Sequence, residues 1–127
     1  MPRFLLLALL GVFCLARPVL AQTATQPEPP TVTASLQKKR RIVLLDVRTP
    51  AEFATGHLKG ARNLDFRAPG FGDQVSRLDK SQTYVLYCAS GNRSGQTTVL
   101  MEETGFKKII NAGAFKDLEA AGLATEK

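Results

Sequence analysis

Two continuous apolar runs, Ile42-Val43-Leu44-Leu45 and Tyr84-Val85-Leu86-Tyr87, constrain the fold of this chain more than any other feature. A strand with one wet face alternates apolar and polar residues, whereas a strand buried on both faces reads as an unbroken apolar stretch, the pattern of parallel sheets. Each run leads into helix-start chemistry. After the first, Thr49-Pro50-Ala51-Glu52 offers a capping threonine, proline at the first helical position and glutamate at the third, and Gly56 can stop the helix. After the second, Ser94 to Thr104 reads as a helix closed by Gly105, with Val99 and Leu100 available to pack on the sheet. Lys108 to Asn111 reads as a further strand, Phe115 to Ala121 as a last helix stopped by Gly122, and Asp73 to Leu78 as a weaker helix. This alternation implies an α/β fold: a mainly parallel central sheet flanked by helices on both faces, with the two apolar runs as central strands.

The chain before Thr31 is of another kind. Arg3 followed by the apolar run Phe4 to Ala16 has the build of a secretory signal peptide, and its 13 residues fall short of the roughly 20 that span a bilayer. Val19-Leu20-Ala21 offers a cleavage site, so residues 1–21 read as a leader and Gln22 as the first mature residue; an uncleaved anchor is the alternative. Phe13 is too bulky for Cys14 to be a lipoprotein cysteine. Residues 22–30, with Pro27, Pro29 and Pro30, read as a disordered or polyproline-like spacer, leaving residues 31–127 for one domain. The expected location is periplasmic or secreted, as a soluble monomer free of the membrane once the leader is removed.

Loss of the leader lowers the net charge from +6 to +4 and leaves one cysteine. The remaining excess gathers in Lys38-Lys39-Arg40-Arg41, which no aromatic residue interrupts, so it does not resemble a nucleic-acid platform. It reads as a solvated corner rather than an anion or lipid surface. So few cysteines, with one histidine, exclude a disulfide-rich scaffold and a four-ligand zinc site.

Chemistry concentrates at Cys88. In parallel α/β folds, ligands bind beyond the carboxyl ends of the strands, where loops enter helix N-termini, and Cys88-Ala89-Ser90-Gly91-Asn92-Arg93-Ser94 occupies that place. Glycine and asparagine let the loop curl until successive N–H groups converge over the thiol as an anion cradle. Those donors, the following helix start and the Arg93 guanidinium all favour the thiolate. An inert, buried cysteine would account for none of these neighbours.

Leu44-Leu45-Asp46-Val47-Arg48, Pro50-Ala51-Glu52-Phe53, Gly56-His57-Leu58, Gly60-Ala61 and Asn63, followed by Cys88-x-x-Gly91-x-Arg93-Ser94, resemble the two signature segments of rhodanese-type sulfurtransferases. The resemblance covers nearly all of residues 31–127. The leader, the single domain, Ser94-Gly95-Gln96 and Asn111-Ala112-Gly113 with Lys116-Asp117 resemble the periplasmic phage shock protein E type. Two features depart from the family: Gly113-Ala114 and Leu118 stand where a doubled glycine and a tryptophan are frequent, and the basic cluster shortens the helix before Ile42.

The resemblance implies thiosulfate sulfurtransferase activity by double displacement. Cys88 would take the outer sulfur of thiosulfate, or of another sulfane-sulfur donor, as a persulfide, and cyanide or a thiol would then accept it. The N–H groups of Ala89, Ser90, Gly91, Asn92 and Ser94 would hold the terminal sulfur, while Arg93 would orient the loop and attract the dianionic donor. No general base, cofactor or metal is implied. Asp46 and Arg48 are expected to hold the strand end, Glu52 to complete the capping box, and His57 to be structural, in a turn. Lys59 and Arg67 have no direction fixed by sequence. A cysteine-dependent phosphatase or arsenate reductase would need five residues between cysteine and arginine where this chain has four, and a histidine where Tyr87 stands. A binding module on the same fold would commonly lack the cysteine or a loop glycine, and both are present.

Overall fold

The structure, a computed structural model, describes residues 42–127. The leader, the proline-rich spacer, residues 31–41 and the Lys38-Arg41 cluster therefore lie outside the described residues.

The elements are β1 (Ile42–Asp46), α1 (Pro50–Thr55), β2 (His57–Leu58), β3 (Arg62–Asn63), α2 (Phe71–Ser76), β4 (Thr83–Cys88), α3 (Asn92–Glu103), β5 (Ile109–Ala114), α4 (Phe115–Ala120) and β6 (Thr125–Glu126). Four strands form a parallel sheet in the order β3-β1-β4-β5, so both apolar runs are interior strands, as expected. Side chains alternate between its faces. Leu45, Tyr84, Leu86 and Cys88 join Phe71 and Val75 of α2 and Met101 of α3 in one cluster, while Val85 and Tyr87 join Leu58, Ala112 and Leu118 of α4 in the other. Helices thus cover both faces. Leu118, standing where the family often has tryptophan, is fully buried in the second cluster.

The capping box forms as expected at α1: Thr49 Oγ1 accepts from the Glu52 N–H, and Glu52 reaches back to the Thr49 N–H. Other expectations need correction. Val99 does not pack on the sheet; it is 53% exposed, and α3 buries Ser94, Thr97 and Met101 instead, with Leu100 packed partly beneath them. Thr97 satisfies itself within the helix, since its Oγ1 donates to the Arg93 carbonyl at 2.7 Å. His57 stands in a strand, not a turn: His57 and Leu58 pair antiparallel with Glu126 and Thr125. The Leu58 N–H donates to the Tyr87 hydroxyl at 3.0 Å, which ties this small strand to the centre of the sheet.

β5 runs past the expected Lys108 to Asn111 because Gly113 and Ala114 still pair with Tyr87 and Cys88 of β4, and it carries an irregularity. Leu86 faces Asn111 but Tyr87 faces Gly113, so Ala112 is an extra residue and the strand bulges. Gly113 has φ +90°, open only to glycine without strain. The bulge lies level with the C-terminal end of β4, where the site begins.

Candidate active site

Cys88 ends β4 as a fully buried free thiol. Ala89 and Ser90 are exposed, and at Gly91 the chain turns back with φ +90° to start α3. That turn directs the Gly91 N–H at the sulfur, 3.0 Å from Sγ, and brings Ser94 Oγ to 3.5 Å. Burial alone would raise the thiol's pKa, but hydrogen bonds from the Ser94 hydroxyl and from the backbone N–H groups of Ser94, Ser90 and Gly91 outweigh it, so the thiol titrates below its ordinary range. Of the loop residues expected to form the cradle, Gly91 and Ser94 bring a donor within hydrogen-bond distance of the sulfur. Asn92 directs its N–H to Ser90 Oγ at 3.4 Å and accepts from Gln96 with its side chain.

Arg93 has a partner that its local motif does not reveal. Its two terminal nitrogens donate to the two carboxylate oxygens of Glu52 at 2.9 and 3.0 Å, across 41 residues of sequence. Glu52 therefore closes the capping box of α1 and grips the loop above β4 at once. The guanidinium holds its carboxyl down at about 2, against an opposing effect of burial and with help from Thr49.

Behind the loop, Asp46 and Arg48 pair at the end of β1. Arg48 Nε lies 3.0 Å from both Asp46 oxygens, and its Nη2 bridges Asp46 Oδ2 at 2.6 Å and the Gly56 carbonyl at 2.7 Å. The guanidinium also stacks 4.4 Å from the Phe115 ring. Asn63 Nδ2 bridges the carbonyls of Asp46 and Arg48, tying β3 to the same corner. The His57 ring stacks on Phe53 at 3.6 Å, Nδ1 lies 2.9 Å from the Phe53 carbonyl, and Nε2 faces Glu126 at 3.4 Å. Lys59 and Arg67 are exposed. Among the described residues no cluster of three or more histidines, cysteines and carboxylates could hold a metal ion.

Asn111 is the site residue whose role the sequence reading did not assign. Its Oδ1 accepts from Ser94 Oγ at 2.7 Å and from its own strand's Gly113 N–H at 3.1 Å, while Nδ2 points to the Gly91 carbonyl at 3.4 Å. It stands on β5 one residue before the bulge, and so anchors the loop to a neighbouring strand rather than to itself.

A family model described as the rhodanese-like domain matches residues 29–121. The chain belongs to that family. Within the rhodanese-like family it is 32% identical over 74 residues to the thiosulfate sulfurtransferase PspE of Escherichia coli K12, spanning 58% of this chain and 71% of that protein. It is 32% identical over 89 residues to the thiosulfate sulfurtransferase GlpE of Pseudomonas putida, spanning 69% of this chain and 79% of the relative. Among solved structures it is similar to a rhodanese with anions from E. coli, with a TM-score of 0.57 and 29% identity over 68% of this chain and 98% of the other. The Alr3790 protein of Anabaena sp. shares the fold, with a TM-score of 0.67 at 24% identity over 78% and 89% of the two chains. The expected rhodanese-type sulfurtransferase fold is thereby established.

Proposed function

We propose that the protein is a thiosulfate sulfurtransferase working through a persulfide on Cys88. The observation that carries this is the sulfur itself: a buried thiol at the end of a central strand, receiving the Gly91 N–H at 3.0 Å, with the Ser94 hydroxyl at 3.5 Å. The thiolate attacks the outer sulfur of thiosulfate. A new S–S bond forms to Cys88 while the donor's S–S bond breaks, and its electron pair leaves with sulfite. Charge balances without an oxidant: a thiolate and a dianion become a persulfide anion and sulfite dianion. The cradle that lowers the thiol's pKa then offers its donors to the terminal sulfur. Cyanide or a thiolate attacks that sulfur, leaves as thiocyanate or a new persulfide, and returns the electron pair to Cys88. Relatives named as thiosulfate sulfurtransferases support the choice of donor.

The test is direct. The protein is incubated with thiosulfate, freed of excess donor and weighed intact; one added sulfur atom on Cys88, absent in Cys88→Ser, is the expected result. An unmodified mass together with Cys88-dependent hydrolysis of an aryl phosphate would replace this reading with the phosphatase one.

The leader reading places this activity outside the cytoplasm, in a mature chain beginning at Gln22. N-terminal sequencing of the periplasmic fraction tests this, and a product starting at Met1 in the cytosol would refute it.

A further inference from the structure

The segment from Cys88 to Ser94 contains one cation, Arg93. A sulfurtransferase that drew in a doubly charged donor by charge would be expected to leave that cation facing the donor. Here both terminal nitrogens of Arg93 are engaged by one carboxylate, in the two-point geometry that best satisfies a guanidinium. The pair is sheltered, with the Arg93 side chain 14% exposed and that of Glu52 34%.

The other duty of Glu52 does not need its charge. Its Oε1 accepts from the Thr49 N–H at 3.4 Å and from Thr49 Oγ1 at 3.1 Å, and glutamine closes a capping box equally well. The charge of the carboxylate, by contrast, is what makes the two-point pair with Arg93. The elements involved are also well placed to communicate: α1 follows β1 and α3 follows β4, and these strands are adjacent in the sheet.

We propose that Glu52 tunes how the site reads the donor's charge: by pairing with Arg93 it cancels the loop's cation, so that the cradle recognises sulfane sulfur through neutral N–H and O–H groups and gives a dianionic donor such as thiosulfate little charge advantage over a singly charged one such as an alkanethiosulfonate. This rests on the sulfurtransferase reading for its substrates, but not for the charge effect itself. Glu52 acts through Arg93, so it is a positioning residue rather than one that touches the donor.

The test uses Glu52→Gln, which keeps the cap and removes the charge. The ratio of kcat/KM for thiosulfate to that for methanethiosulfonate, one charge lower, is expected to rise about three- to tenfold, the scale of one unscreened charge near a partly buried site. The change should lie in KM rather than kcat and shrink at high salt. A second arm needs no sulfur transfer: the rate of Cys88 alkylation by anionic iodoacetate, divided by that by neutral iodoacetamide, should rise similarly. Because the same thiolate attacks both reagents, the ratio cancels any change in its ionisation. Adding Arg93→Gln to Glu52→Gln should erase both increases. Unchanged ratios in the single variant, or increases that survive the loss of Arg93, would overturn the proposal. If wild type acquires no sulfur from either donor, the sulfurtransferase reading fails, and the alkylation ratio alone decides whether Glu52 masks the charge.

Discussion

Gly91 and Gly113 meet across the top of the sheet so closely that a β-carbon on Gly91 would lie 3.3 Å from the Gly113 Cα. Neither neighbour is a flexible side-chain tip; both are backbone. Gly91 belongs to the loop around Cys88 and Gly113 to the bulge of β5, so the curl of the loop depends on the path of another strand.

Gly91→Ala should therefore suffer twice. Alanine at φ +90° costs about 1–2 kcal/mol in backbone strain, and the close approach forces the loop away from β5. Urea unfolding should show a loss of about 2 kcal/mol. Alkylation of the folded variant should show a less acidic Cys88, because the Gly91 N–H no longer sits over the sulfur.

Ser94→Ala separates the hydroxyl from the backbone donors. One hydroxyl has one proton, and Ser94 Oγ lies near three acceptors: Asn111 Oδ1 at 2.7 Å, the Gly91 carbonyl at 3.1 Å and Cys88 Sγ at 3.5 Å. Its removal should shift the alkylation profile of Cys88 to higher pH and lower sulfur transfer about tenfold, below the loss expected for a shorter catalytic hydrogen bond. A profile unchanged from wild type would mean that the proton stays with Asn111.

Asp46→Asn tests the corner behind the site. Asp46 is fully buried and Arg48 nearly so, and removing one partner of a buried pair leaves the other charge uncompensated, at a cost of about 3–5 kcal/mol. Thermal melting should fall steeply, while the persulfide yield per folded molecule changes little.

Glu52 gives stability a pH dependence. Its carboxyl titrates at about 2 in the folded chain against an ordinary 4.5. The charged form is thus favoured by folding, so its contribution is present above pH 4.5 and is lost as pH falls towards 2. After allowance for the exposure of the pair, the effect is on the order of 1 kcal/mol. Unfolding free energies of wild type and Glu52→Gln, measured across this window, should converge as the pH falls.

The sheet centre, the capping box and the loop after Cys88 were legible because each is local. Unbroken apolar runs betray strands buried on both faces, and Thr49 and Glu52 are within one helical turn of each other. β2, β3 and β6 were not legible, since two residues carry no periodicity. Val99 misled because the inward stripe of α3 starts with Ser94 and Thr97, so counting apolar residues points to the wrong face. The Glu52 to Arg93 pair and the Asn111 anchor join distant stretches of chain, and only the order of the strands brings them together.

The bulge in β5 acts as a phase shift. Before it, Ile109 pairs with Tyr84 and Asn111 with Leu86, so Asn111 inherits the face that looks towards α3; after it, Gly113 rather than Ala112 stands opposite Tyr87. One surplus residue thus lets positions 111 and 113 serve the same loop, the first by a side chain and the second by having none. Deleting Ala112 would leave the composition of the site untouched and yet put its ceiling out of step with its floor.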